Sequence, residues 1–115
     1  MKADMHLKKA KNIYTSLKKL LPDDEGKNVE AIVELSYGIA QHLIAYGMEM
    51  KHNKHIDSHV GLAKFLIENG EDQISEWFIN LNIFRQGRWY GGKGNGEIVK
   101  ECLKIIKEIE EWTKL

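Results

Sequence analysis

Residues 28–50 read NVEAIVELSYGIAQHLIAYGMEM. Within this run Val29, Ile32, Ser36, Ile39, Leu43, Tyr46 and Met50 recur at steps of three and four. A helix buries such a heptad-like seam along one face, whereas a strand, with its period of two, scatters it over both. A second series, Ala31, Gly38 and Ala45, places only small side chains at intervals of seven, and small residues let a neighbouring backbone come close. A long helix with two contact faces is predicted to be the spine of a bundle.

The segments on either side obey the same period. From about Asp4 to Leu21 the apolar residues Leu7, Ala10, Ile13, Tyr14, Leu17, Leu20 and Leu21 step by three and four between lysines, and Pro22 stops the helix. After the polar His52–Ser58 stretch, Ser58 is the expected N-cap of a short helix carrying Val60, Leu62, Ala63, Leu66 and Ile67, ended by Asn69-Gly70. A fourth helix is expected from about Asp72 to Arg88, with Ile74, Trp77, Phe78, Leu81 and Phe84 inward. The glycine-rich run at 91–96 breaks the backbone, and a last helix from Glu97 to about Thr113 buries Ile98, Val99, Cys102, Ile105, Ile106, Ile109 and Trp112. Helices joined by short loops pack antiparallel to their neighbours. The fold class expected is therefore all-α, an up-and-down helical bundle of about four long helices plus one short helix, with residues 1–115 forming a single domain.

Composition narrows the function classes. The 115 residues carry 17 basic and 17 acidic side chains, a formal charge of zero, so nucleic-acid binding by bulk charge is not expected and any anion site has to be local. The single cysteine, Cys102, rules out a disulfide within the chain and a cysteine-built zinc site. No apolar run of membrane-spanning or signal-peptide type occurs, and a cytoplasmic location is expected.

Arg85 and Arg88 are the only arginines, against fifteen lysines. Either cation serves on a solvated surface, but bidentate contact with phosphate or stacking on an aromatic ring needs the planar guanidinium. Arg85 follows Leu81 by four residues and Arg88 follows Phe84 by four, so both are expected to continue the apolar face into a groove or interface. Trp89, Tyr90 and the glycine-rich loop come next, and Lys93 precedes a helix N-terminus where free N–H groups favour an anion. Cations, stackable rings and exposed backbone N–H groups suit RNA or a nucleotide, with Arg85, Arg88, Trp89, Tyr90 and Lys93 as ligand-binding candidates. The plainer alternative is that the arginines brace the bundle through ion pairs to Glu30 or Glu34.

The order of two long helices, a His55-Ile56-Asp57-Ser58-His59 stretch leading into a short helix, and a helix ending in Phe84-Arg85-Gln86-Gly87-Arg88-Trp89-Tyr90 before a terminal helix resembles the HEPN superfamily of small prokaryotic helical bundles. The resemblance spans nearly the whole chain. It implies a homodimer, and either a metal-independent ribonuclease or a protein that binds RNA or nucleotide without cleaving it. It also implies, for many members, a neighbouring small nucleotidyltransferase as partner in a toxin–antitoxin pair. Ribonuclease members place a histidine after an arginine with four to six residues between the two. Here those places hold Tyr90, Gly91 and Gly92 after Arg85, and Lys93, Gly94 and Asn95 after Arg88. Tyrosine, titrating near 10, is a poor substitute for a group titrating near 7. Binding is therefore expected ahead of cleavage. Arg85 is the weak catalytic candidate, and a ribonuclease would need a histidine from elsewhere, such as His55 or His59. The third reading is a non-catalytic structural partner.

No metal or other cofactor is expected. His52, His55 and His59 cluster with Asp57 in a polar loop without a completing ligand group, and Glu49-x-x-His52 occurs once where a di-iron bundle needs two copies. Trp77, Trp112, Met48 and Met50 are expected in the core. Phe65, Ile79 and Ile83 fall off the main faces and are the candidate homodimer patch.

Overall fold

A computed structural model describes residues 1–87 and 93–115. Among them are five helices and no strand: α1 (Ala3–Lys18), α2 (Val29–His52), α3 (Leu62–Glu68), α4 (Asp72–Arg85) and α5 (Asn95–Thr113). No helix among these residues is long and apolar enough to cross a membrane.

The 24 residues of α2 span roughly 36 Å at 1.5 Å per residue, and α2 packs against α1, α4 and α5. Cross-contacts give the directions. His6 meets His42 and Ile13 meets Gly38, so α1 runs antiparallel to α2. Arg85 meets Glu34 while Phe78 meets Tyr37, so α4 is antiparallel too. Cys102 faces Ser36 and Trp112 faces Gly47, so α5 runs parallel to α2. The result is an up-and-down bundle of four long helices, with short α3 packed on α4. Its core is aliphatic, with Leu17 of α1, Ile32, Ile39, Ile44 and Met48 of α2, Leu81 of α4 and Ile98, Ile106 and Ile109 of α5 withdrawn from solvent. The Cys102 thiol is buried among them, which pushes its pKa up to about 12 and leaves it a small apolar group.

Helix ends depart from the sequence expectations for local reasons. The first helix ends at Lys18, not Leu21, because the N–H groups of Leu20 and Leu21 turn back to Leu17 and Lys18 in i→i−3 bonds of 2.9 and 3.2 Å. A residue before proline disfavours the helical region, so unwinding ahead of Pro22 follows. Buried Asp23 then accepts the N–H groups of Lys27 and Asn28, each at 2.8 Å, and leads the chain into α2. Ser58 does not cap α3. Its hydroxyl accepts the Val60 N–H at 3.1 Å, and Gly61, at φ 72°, occupies the cap position. The fourth helix stops at Arg85, three residues early, since Gly87 takes a left-handed φ of 73°.

The seam of α2 is buried from Val29 through Leu43, but Met50 is 63% exposed. With His6 opposite His42 and α1 beginning at Ala3, no turn of α1 reaches Met50. The small-residue series serves only in part. Gly38 meets Ile13 and Ala45 is buried, while Ala31 is exposed. The closest approach is at Gly47, where a Cβ would collide with the ring of Trp112. That ring, half-buried, is pinned by its indole N–H donating to Glu71.

Gly47→Ala gains up to about 1 kcal/mol of helix propensity but forces a methyl into a pinned ring, at a cost of about 1–3 kcal/mol. The variant is expected to unfold at lower urea, whereas Gly38→Ala, whose added Cβ meets Ile13 at 3.4 Å, should unfold close to wild type.

The α1–α2 contact also fixes a pH dependence. Nδ1 of His6 and Nδ1 of His42 are 2.9 Å apart, so one must donate and the other accept. Burial, then the neighbouring His6 and Lys9, hold the His42 pKa below its ordinary 6.5. Asp57, 3.6 Å from His6 Nε2, is lowered to about 2 by hydrogen bonds from the terminal amine and His55, and stays a carboxylate throughout. The unfolded chain takes up a proton at His42 more readily than the folded one, so stability present above pH 6.5 is lost as pH falls through the folded value. Urea midpoints measured from pH 7.5 down to 5 should fall, and His42→Gln should flatten the curve; an unchanged slope in the variant contradicts the assignment.

Candidate functional site

Arg85 ends α4 and its side chain turns back over α2. Its Nε donates to Glu34 Oε1 at 3.2 Å, and the guanidinium carbon stands 4.5 Å from the centroid of the Tyr37 ring. Both partners are on α2, one turn apart, so one helix face supplies the counter-charge and the aromatic platform. The ion pair sits in solvent, with side-chain exposures of 36% and 63%.

Tyr37 joins the rest of the site. Its ring is buried and stacks on Phe78 of α4, centroids 4.9 Å apart. Its hydroxyl oxygen lies 3.0 Å from His59 Nδ1. Burial pushes the hydroxyl above its ordinary pKa of 10.0 despite the opposing Arg85 guanidinium, so at neutral pH it keeps its proton.

His59 is carried by the loop between α2 and α3. The Leu62 N–H donates to the His59 carbonyl at 3.2 Å, Gly61 supplies the left-handed turn, and buried Leu62 and Leu66 anchor the segment that follows. The Ser75 hydroxyl donates to the Ala63 carbonyl at 2.8 Å and ties α3 to α4. The imidazole is thereby set beside Tyr37 with its ring edge-on to the phenol, centroids 5.9 Å apart.

These groups line one cleft of about 410 Å³, within the size range of small-ligand sites. Its polar side chains are Tyr37, His59, Lys64, Asn82 and Arg85, and its apolar wall is Leu62, Phe78 and Ile79. Lys64 has no carboxylate partner among the described residues. The cleft thus combines cations, an imidazole, an amide and an aromatic floor, a set that can bind an anionic group by charge-assisted hydrogen bonds.

The other sequence candidates lie elsewhere. Lys93 pairs with Glu101 of α5 and is not among the cleft's lining residues. Arg88, Trp89 and Tyr90 lie outside the described residues. The loop histidines divide three ways: His52 is 3.9 Å from Glu71, His55 bonds Asp57 at 2.8 Å and stands 3.8 Å from Glu49, and only His59 joins Arg85. Tyr37, Lys64 and Asn82 were not marked by any sequence motif. The one available signal was a tyrosine beside the aliphatic seam residues Ile32 and Ile39.

No family model, curated protein or solved structure matches the chain.

The geometry separates a site from a brace. A solvent-exposed ion pair contributes about 0–1 kcal/mol and an exposed cation–π contact about 0.5–1 kcal/mol. Removing one partner of a buried pair costs about 3–5 kcal/mol. Arg85→Ala is therefore expected to lower unfolding free energy by less than about 2 kcal/mol in urea titrations, and a larger loss would make Arg85 a structural brace.

Proposed function

We propose that this protein is a HEPN-like helical bundle that binds the phosphate of RNA or a nucleotide at the Arg85–Tyr37–His59 cleft. The observation that supports this most directly is the arrangement around Tyr37. One buried ring carries a half-exposed guanidinium on its face and an imidazole on its hydroxyl, both lining the same cleft. Stability gives little reason for a guanidinium there, since the Glu34 pair is exposed, whereas a planar fork held over an aromatic ring is preorganised for phosphate.

Ribonuclease activity is the second reading, and one observation favours it. His59 stands beside the arginine from a distant part of the chain, supplying the imidazole absent from the four-to-six spacing. Metal-independent cleavage needs a base for the 2′-hydroxyl and an acid for the leaving oxygen. The cleft offers one imidazole, already bonded at Nδ1. Binding needs only donors, and it leads for that reason.

Self-association belongs to the same proposal. Ile79 and Ile83 of α4 are 41% and 36% exposed, beside the cleft, and a second copy would cover them. Phe65, grouped with them on sequence grounds, is partly buried against the core. The partner implied by the HEPN resemblance is a small nucleotidyltransferase.

Arg85→Lys retains the charge and removes the fork. In fluorescence anisotropy with single-stranded oligouridylate and in calorimetry with AMP, both in chelator, the variant should bind about 1–3 kcal/mol more weakly, the scale of a charge-assisted hydrogen bond. Wild-type protein that binds neither at millimolar concentration contradicts the proposal. RNA degradation in chelator, abolished by Arg85→Ala, moves the assignment to the ribonuclease.

A further inference from the structure

The hydrogen bond between Tyr37 and His59 sets what the cleft can recognise. A protonated tyrosine hydroxyl has to place its hydrogen on an acceptor. The guanidinium above the ring has none to offer. The bond observed at the Tyr37 hydroxyl is to His59 Nδ1, at 3.0 Å. When Tyr37 donates to Nδ1, a neutral imidazole carries its own hydrogen on Nε2, on the far side of the ring. Nε2 has no hydrogen-bond partner among the described residues. With the Lys64 ammonium and the remaining N–H groups of Arg85, the cationic side chains and the imidazole lining the cleft then all present donors. Glu34, the nearby carboxylate, is engaged by Arg85 Nε.

We propose that the cleft is a terminal-phosphate site, in which Tyr37 is the positioning residue that holds His59 as the Nε2–H tautomer and so makes the imidazole a phosphate donor instead of a base. This rests on the reading of the cleft as a phosphate site and names the class of phosphate. A phosphate monoester presents three unesterified oxygens to a converging set of donors. An internal diester presents two, with chain continuing on both sides. A free mononucleotide and the phosphorylated end of an RNA share this chemistry. Tyr37 also accounts for the placement of Arg85, because one ring carries both groups.

The test compares tetrauridylate bearing a 5′-phosphate, the same tetramer with a 5′-hydroxyl, and uridine 5′-monophosphate, together with the histidine tautomer read from ¹⁵N chemical shifts. Wild-type protein should prefer the 5′-phosphorylated tetramer at least tenfold, and His59 should be protonated at Nε2 and not at Nδ1. Equal affinity for the mononucleotide and the phosphorylated tetramer assigns a free nucleotide as ligand; tighter binding of the tetramer assigns an RNA end. Tyr37→Phe keeps the ring and should lose both the tautomer bias and most of the tenfold preference. His59 is exposed, so its variants are expected to fold. His59→Gln, whose amide nitrogen takes the place of Nε2, should keep the preference, and His59→Glu, which puts an acceptor there, should abolish it. Equal binding of the two tetramers overturns the terminal-phosphate assignment and leaves RNA binding standing. No binding of any of the three overturns both. An Nδ1–H tautomer in the wild type overturns the role given to Tyr37 whatever the affinities.

Discussion

Enclosure of α2 on three sides is the constraint from which the rest of the structure follows. A helix lying against α1, α4 and α5 has little solvated face left in its middle turns, so a polar side chain there has to find a partner inside the protein. Tyr37 is the large polar residue in that position. Its ring area contributes to the core through Phe78, but burying the hydroxyl without a partner costs of the order of 1–3 kcal/mol. The loop before α3 supplies that partner as His59, and the end of α4 supplies a cation for the ring face. One buried phenol thereby organises groups from three separate segments at the mouth of a single cleft.

A chain with no net charge that binds an anion has to concentrate cations locally, as Lys64 and Arg85 are at this cleft. Most ion pairs here are exposed and of small energetic consequence, and the Arg85–Glu34 pair is one of them. The choice of arginine at that position is explained by geometry. A guanidinium held over a ring, its carbon 4.5 Å from the Tyr37 centroid, presents a planar fork of N–H groups, whereas a lysine ammonium in the same place would be a mobile point charge. Preorganisation of that kind lowers the cost of ordering side chains on binding. Lys93, in the segment before α5, pairs with Glu101 of that helix, away from the cleft.

The bundle was legible in the sequence because a 3.6-residue period is a local property. The seam Val29–Leu43, the inward faces of α4 and α5, and the placement of α2 as the spine all follow from it. Helix ends were less legible, since Gly61 and Gly87 override the cap and register signals nearby by adopting left-handed backbone. Arg85 could be singled out from the rarity of arginine and from its spacing after Leu81. His59 could be named only as one of several loop histidines, because its distinction from His55 depends on which α2 side chain lies opposite. Tyr37 could not be found, since its meeting with His59 spans 22 positions and leaves no spacing pattern. Gly47 escaped for the same reason, its partner Trp112 being set by the packing of α5.

The central claim, that the Tyr37-centred cleft is the anion site of this protein, is tested most directly by titrating ¹⁵N-labelled protein with uridine 5′-monophosphate and following backbone amides together with the Arg85 Nε–H signal. The account predicts saturable shifts confined to Tyr37, His59, Leu62, Asn82 and Arg85, the residues that line or border the cleft. Absent shifts, or shifts centred on the lysines of α1, would contradict it.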